Sequence, residues 1–398
     1  MTVKPLFVVD RPASLRILSG LKGSENKFGI LAHAFTSDNF KEKFKEFDIA
    51  SVKIGDSGIY QGKDISYENL FLEYVKMGVT HGIIKDCYKD SKQTLISAKQ
   101  AIRIYNEGKE QGLYNFELLG VAQGNTVAEY IDNYNAQKDL GFKTVAIGGL
   151  LYKIENHKRM VKVKSNVFLR NVLAGIRKLY PDDKLFPLGV FNRNRMQLFY
   201  DLDVWAADYK GWIFKYNKEE SDRRGNRFRQ TRKYIRSEIL NYIDKFWENA
   251  AKPKPEIFDD DTRKRKQNRK LLIVSCSKKK TSKPGKAINV YDGTAFKLIK
   301  KYYKSHNHLD VKIISAKYAL IDKRDKIEPY DCMMTGEASE IYRQILGDDL
   351  RRIVEPYSDI MVFGGKHYKN VLPVDLKVEK TKGKIGEQLR QLKIWLYS

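Results

Sequence analysis

The chain has 398 residues, 42% of them hydrophobic, which allows about two or three domains with a substantial core and excludes a disordered polymer. Its 74 Lys and Arg against 49 Asp and Glu leave a formal charge of +25, of which residues 251–398 hold about +14 and residues 1–250 about +11; a charge of this size and sign suits a polyanionic partner. Residues 1–15 lack an apolar signal core, no run is long enough to span a membrane, and Cys87, Cys276 and Cys332 stand too far apart for a disulfide framework or a C-x2-C zinc site, so the expectation is a soluble protein of the cytoplasm without membrane, metal or cofactor.

Short apolar runs predict strands at 28–33, 51–55, 79–84, 116–122, 143–148, 185–190 and 203–207, with helical patterns between them, among them 90–110 and 125–139. Strands and helices alternating at this spacing predict a parallel α/β fold, and seven strands over about 200 residues favour a (β/α)8 TIM-type barrel in which an eighth strand is not located. The barrel is expected to occupy residues 1–250 and to end in a helix over 232–249, where Ile235, Ile239, Leu240, Tyr242, Ile243 and Phe246 form an apolar face. Residues 251–270 are charged, carry proline and are poor in apolar side chains, as a basic linker is. A smaller α/β domain follows over 271–398, with strands in LLIVSCSKKK, VKIISAKYAL and DIMVFGGKHY.

In such a barrel the active site forms at the C-terminal ends of the strands. Those ends carry Asp56-Ser57-Gly58, Asp86, Gln123-Gly124, Gly148-Gly149-Leu150, Gly189 and Asp208. Carboxylates there can read the N–H edge of a purine or attack a sugar carbon, and glycines let a ligand approach the backbone. Any glycosyl-transfer or hydrolytic barrel would meet that description. His33 and His81 lie on strand-like runs and read as core histidines.

Several ordered motifs narrow the choice. DSGIYQ at 56–61, GVAQG at 120–124, AIGGL at 146–150, LGV at 188–190 and DVWAADY at 203–209 together resemble the tRNA-guanine transglycosylase family over about residues 28–210. The resemblance implies that Asp208 is the nucleophile and Asp56 the general base. It implies further that Asp86 and Gln123 read the base edge, with Ser57 and the Gly148-Gly149-Leu150 backbone completing the pocket. Tyr60 and Leu188 would then sandwich the flat base, replacing a phenylalanine and a methionine. The implied reaction is a retaining exchange in which guanine leaves a nucleotide through a covalent Asp-linked glycosyl-enzyme and a free 7-deazaguanine base takes its place.

The chain also departs from that family. Residues 209–250 contain neither Cys nor His, so the zinc motif that follows the nucleophile is missing; Ile59 replaces a glycine, and no RNA-binding PUA domain is recognisable. These losses are most similar to the DpdA-like transglycosylases that place 7-deazaguanines of the preQ0 kind into DNA, in phages and bacteria. DNA is therefore the expected nucleic-acid partner ahead of tRNA, with exchange on tRNA and a catalytically silent nucleic-acid-binding protein as alternatives. In the second domain SCSKKK (275–280), YDGTAF (291–296), SAKYAL (315–320), IEPYD (327–331) and GGKHY (364–368) look distantly like YaaA-type proteins. Its turn with Ser275, Ser277 and Lys278–Lys280 offers phosphate contacts. Cys276 reads as structural, and His367 as either a phosphate contact or a structural residue.

Overall fold

A computed structural model describes residues 3–21, 27–58, 65–155, 159–162, 165–210, 237, 269–306 and 308–398. The helix expected at 232–249 and nearly all of the linker at 251–270 lie outside the described residues. Eight parallel strands form one sheet: β1 (Lys4–Val8), β2 (Gly29–His33), β3 (Val52–Asp56), β4 (His81–Ile83), β5 (Glu117–Ala122), β6 (Thr144–Ile147), β7 (Phe186–Pro187) and β8 (Ala206–Tyr209). The order is β8-β1-β2-β3-β4-β5-β6-β7. A parallel bridge from Leu185 to Val204, with the Trp205 N–H donating to the Leu185 carbonyl at 3.0 Å, joins the two ends. The sheet therefore closes into the expected TIM-type barrel.

The strand that sequence reading did not locate is β1. It contains Pro5, which ordinarily argues against a central strand. Here the Lys4 N–H donates to the Trp205 carbonyl at 2.8 Å on the β8 side, so the Pro5 nitrogen faces β2, where pairing begins only at Leu6 opposite Gly29. The missing donor costs no ladder bond.

Helices α1 (Pro12–Leu18), α2 (Asp38–Lys45), α3 (Tyr67–Met77), α4 (Ser91–Glu110), α5 (Val127–Asp139), α6 (Val167–Leu179) and α7 (Met196–Asp201) connect the strands. Asp90 caps α4 by accepting the Gln93 N–H at 2.9 Å, and the left-handed Gly78 ends α3. The packing of α3 depends on Tyr74, which is fully buried and donates its hydroxyl to the Ile83 carbonyl at 2.7 Å. Its ring lies over Gly55 and Gly82 on adjacent strands; a Cβ at either would sit 2.4 Å from the ring.

The chain packs as two compact units. The first comprises residues 1–124, 133–152 and 180–253, and the second comprises 125–132, 153–179 and 254–398. The sequence placed the smaller domain at 271–398 alone; the second unit is instead assembled from three chain segments. Hydrogen bonds within it show why: Asn171 on α6 donates to the carbonyls of Tyr318 at 2.5 Å and Leu320 at 3.0 Å, and the Val127 N–H donates to the Lys317 carbonyl at 2.9 Å. Its sheet has β9 (Lys270–Ser275) at the centre, β10 (Leu309–Ser315) and β12 (Asp359–Phe363) parallel on either side, β11 (Ala319–Asp322) antiparallel beyond β10, and β13 (Glu379–Lys380) beyond β12. The longer helices α8 (Thr294–Tyr303), α9 (Gly336–Val354) and α10 (Ile385–Tyr397) complete this unit.

Because Tyr74 is held at both its ring and its hydroxyl, Gly82→Ala is expected to destabilise the chain by about 1–3 kcal/mol through overpacking. Urea unfolding measures this directly, and Gly112→Ala, at a left-handed turn with open space around it, separates steric from conformational cost.

Candidate active site

The expected site residues occupy the C-terminal ends of the barrel strands. Asp56 ends β3, Asp86 and Gln123 follow β4 and β5, Gly148 to Leu150 follow β6, Leu188 and Gly189 follow β7, and Asp208 lies in β8. Tyr60 lies outside the described residues. Two groups of contacts organise the rest.

In the first, Gln123 is fully buried and its Nε2 donates to the Asp86 carboxylate at 2.6 Å. Its Oε1 accepts the Lys89 N–H at 3.2 Å, and its own backbone N–H donates to Asn133 Oδ1 at 3.2 Å. The amide is thus fixed in one orientation, which in turn fixes the carboxylate. Gly148 is part of the same arrangement, because a Cβ there would come within 2.4 Å of Gln123 Nε2. The sequence expectation gave Gly148 a backbone role toward ligand; the structure adds that its missing side chain leaves room for Gln123.

In the second, Asp208 accepts a hydrogen bond from the Gly189 N–H, and Gly189 has a φ of 71°. Protein surrounds the carboxylate while solvent still reaches part of the residue, as at the floor of a recess. Burial pushes its carboxyl up to about 6, the charge of Asp56 adds to the rise, and the Gly189 N–H opposes it. Asp56 accepts the Gly58 N–H at 3.1 Å. Ser57, next in the chain, has a buried hydroxyl with no hydrogen-bond partner among the described residues. Arg195 holds the loop that carries Gly189 by donating Nη1 to the Val190 carbonyl at 2.8 Å.

Leu188 is half-buried, in keeping with a ligand-facing position, whereas Leu150 is buried in the core and offers only its backbone. His33, read from the sequence as a core residue, ends β2 in register with Asp56, and its Cβ lies 3.3 Å from where a Cβ of Gly58 would stand. The rule that strand C-terminal ends face the site applied to His33 as much as to Asp56. His81 lies farther down the barrel wall, with Nε2 3.9 Å from Glu117 and its ring against Trp205. Among the described residues no group of three or more His, Cys, Asp or Glu is arranged to hold a metal ion, and no helix is long and apolar enough to cross a membrane.

Residues 271–394 match a family described as a family of unknown function (DUF6884). No curated protein matches the chain. Among solved structures the chain is similar to the YdjI aldolase from Escherichia coli K12, at 12% identity and a TM-score of 0.41, over 62% of this chain and 91% of that one.

The elevated Asp208 carboxyl has a consequence for stability. A group whose folded-state value lies above its unfolded value contributes stability at low pH that is lost as the pH rises through the folded value. Asp208→Asn should therefore melt with the wild type near pH 3, below both the folded and the unfolded value, where the side chain at this position is essentially neutral in either state. Above pH 7 it should be the more stable by about 1–3 kcal/mol, a shift of about two units being worth at most ~3 kcal/mol. Thermal melts of both proteins across this range check the sign.

Proposed function

We propose that the barrel is a guanine transglycosylase that exchanges guanine in DNA for a free 7-deazaguanine base. The observation that carries this reading is Asp208, a recessed carboxylate with a value of about 6, held by the Gly189 N–H and electrostatically coupled to Asp56. The Asp86–Gln123 pair at the same end of the barrel supplies the second half of the argument, an acceptor and an amide with fixed directions. Neutral at low pH and ionised near neutrality, Asp208 has the weak solvation that suits a nucleophile.

In the proposed reaction an Asp208 carboxylate oxygen attacks C1′ of the flipped nucleotide. The C1′–N9 bond breaks, its electron pair passing to guanine, whose imidazole ring takes a proton from solvent as the base leaves. The glycosyl ester is then attacked by the ring nitrogen of the incoming base. Asp56 takes that nitrogen's proton, and the Asp208 carboxylate is released. Asp86 and Gln123 hold either base by its hydrogen-bonding edge, and Leu188 packs on its face. The positive charge of residues 251–398 supports a nucleic-acid substrate.

Incubating the protein with guanine-labelled DNA or tRNA and a 7-deazaguanine base, followed by nucleoside mass spectrometry, tests the reading. Label is expected to leave DNA, and tRNA as the sole substrate would correct the choice of nucleic acid. Asp208→Asn is expected to lower exchange by at least about three orders of magnitude and to abolish a covalent protein–DNA adduct that the wild type forms. An adduct that survives in this variant would remove Asp208 as nucleophile. The wild-type rate is expected to fall about tenfold per pH unit below pH 6, as the Asp208 carboxylate is lost.

Replacing Gly148 by alanine should push Gln123 off Asp86. Since this disturbs base reading and leaves Asp208 in place, the expected result is a KM for the free base raised about tenfold or more, with adduct formation retained. Steady-state kinetics with the base as the varied substrate give the answer.

A further inference from the structure

The sheet of the second unit has a topological switch point. The chain leaves the central strand β9 for β10 on one side, and β12 later pairs on the other side of β9. In open α/β sheets such a point leaves a crevice at the carboxyl ends of the diverging strands, where ligands bind. The strand ends here are Ser275-Cys276 on β9, Ser315 on β10 and Gly364-Gly365 on β12.

The residues at these ends form a built, cationic recess. Ser315 Oγ accepts the N–H groups of Lys317 at 3.3 Å and Tyr318 at 3.1 Å, and it lies 2.8 Å from the Tyr330 hydroxyl. Tyr291, fully buried, bonds to the same hydroxyl at 2.9 Å. Over the ring of Tyr330 lies the Lys280 ammonium at 4.2 Å, with that of Lys317 at 5.8 Å. Lys280 has no carboxylate partner within ion-pair distance among the described residues. Cys276 Sγ lies 3.2 Å from the Tyr368 hydroxyl and remains half-exposed.

Two features bring backbone close to this recess. Gly364 has a φ of 156°, and a Cβ there would lie 2.7 Å from Ser275 Cβ, so β12 turns tightly against the end of β9. Gly293 immediately precedes helix α8 and donates its N–H to Ser277 Oγ at 3.2 Å; the first turn of the helix carries no acidic side chain and no side-chain cap. Two ammonium groups over the half-exposed Tyr330 ring, with an uncapped helix start nearby, suit a dianionic tetrahedral group.

We propose that the second unit holds a nucleotide phosphate in this crevice, with Lys280 and Lys317 neutralising it and Cys276 close beside it. A free nucleoside monophosphate and the phosphorylated end of a nucleic-acid strand share this chemistry. The site is built from residues of the second unit alone and does not depend on the transglycosylase reading.

The test uses the full chain and four guanine-free probes: uridine, uridine 5′-monophosphate, and a short single-stranded thymidine oligonucleotide with and without a 5′-phosphate. Binding is followed by calorimetry and by the rate at which iodoacetamide alkylates Cys276, mapped by peptide mass spectrometry with Cys87 as internal control. At least one phosphorylated probe is expected to bind and to slow alkylation of Cys276 about tenfold while Cys87 is unchanged. Protection by the monophosphate identifies a free nucleotide, and protection by the 5′-phosphorylated strand alone identifies a strand end. Lys280→Gln and Lys317→Gln, each with an unchanged melting temperature, are expected to weaken that binding about tenfold, while Asp208→Asn leaves it intact. Equal protection by uridine, no protection by either phosphorylated probe, or unchanged binding in both lysine variants would overturn the proposal. Failure of base exchange would leave it standing.

Discussion

Closure of the barrel between β7 and β8 is the constraint on which the candidate active site depends. Those two edges meet through the Leu185–Val204 bridge and the Trp205 N–H. With all eight strands parallel, closing the sheet brings every strand's C-terminal end to one rim. Asp56 and Asp208 are thereby close enough for the charge of one to raise the carboxyl of the other, although 151 residues lie between them in the chain. An open sheet of the same strands would leave β3 and β8 apart.

The rim also shows how the fold manages buried charge. A carboxylate in a recess must be hydrogen-bonded or lose its charge. Asp86 is buried and receives the Gln123 amide, whose orientation is fixed by the Lys89 N–H on its other end. Asp208 receives the Gly189 N–H, yet burial raises its carboxyl and the charge of Asp56 adds to the rise. The two carboxylates on one rim are thus held differently, Asp86 as a fixed acceptor and Asp208 with its carboxyl raised to about 6. That separation is what acid–base and nucleophilic chemistry on a single rim requires.

The second unit uses the same principle on an open sheet, where strand direction and not closure creates the crevice. Its dependence on chain segments 125–132 and 153–179 means that the sequence boundary near residue 270 does not mark where its contacts end. Side-chain amides such as Asn171 hold β11 and α6 together across 147 and 149 residues, a pairing with no local signature.

Much of the architecture was legible in the sequence because it follows from local chemistry. Alternating apolar runs and amphipathic stretches indicated seven of the eight strands, and the helical pattern at 90–110 matches α4 to within a residue. Strand β1 escaped because Pro5 is judged by the average strand, whereas its tolerance depends on which neighbour its nitrogen faces. His33 escaped because an apolar strand-like run makes a core histidine the commoner reading; only the register with Asp56 puts it on the rim. By itself, then, the sequence determined the barrel class, the basic character of the chain and the order of motifs along it, all of which are properties of short windows or of sums over residues. Tertiary structure alone decided the need for a missing side chain at Gly148, the raised carboxyl of Asp208 and the recess at Lys280 and Lys317. Each of these depends on distances between residues remote in sequence and on the loss of water around them, and both exist only once the chain has folded.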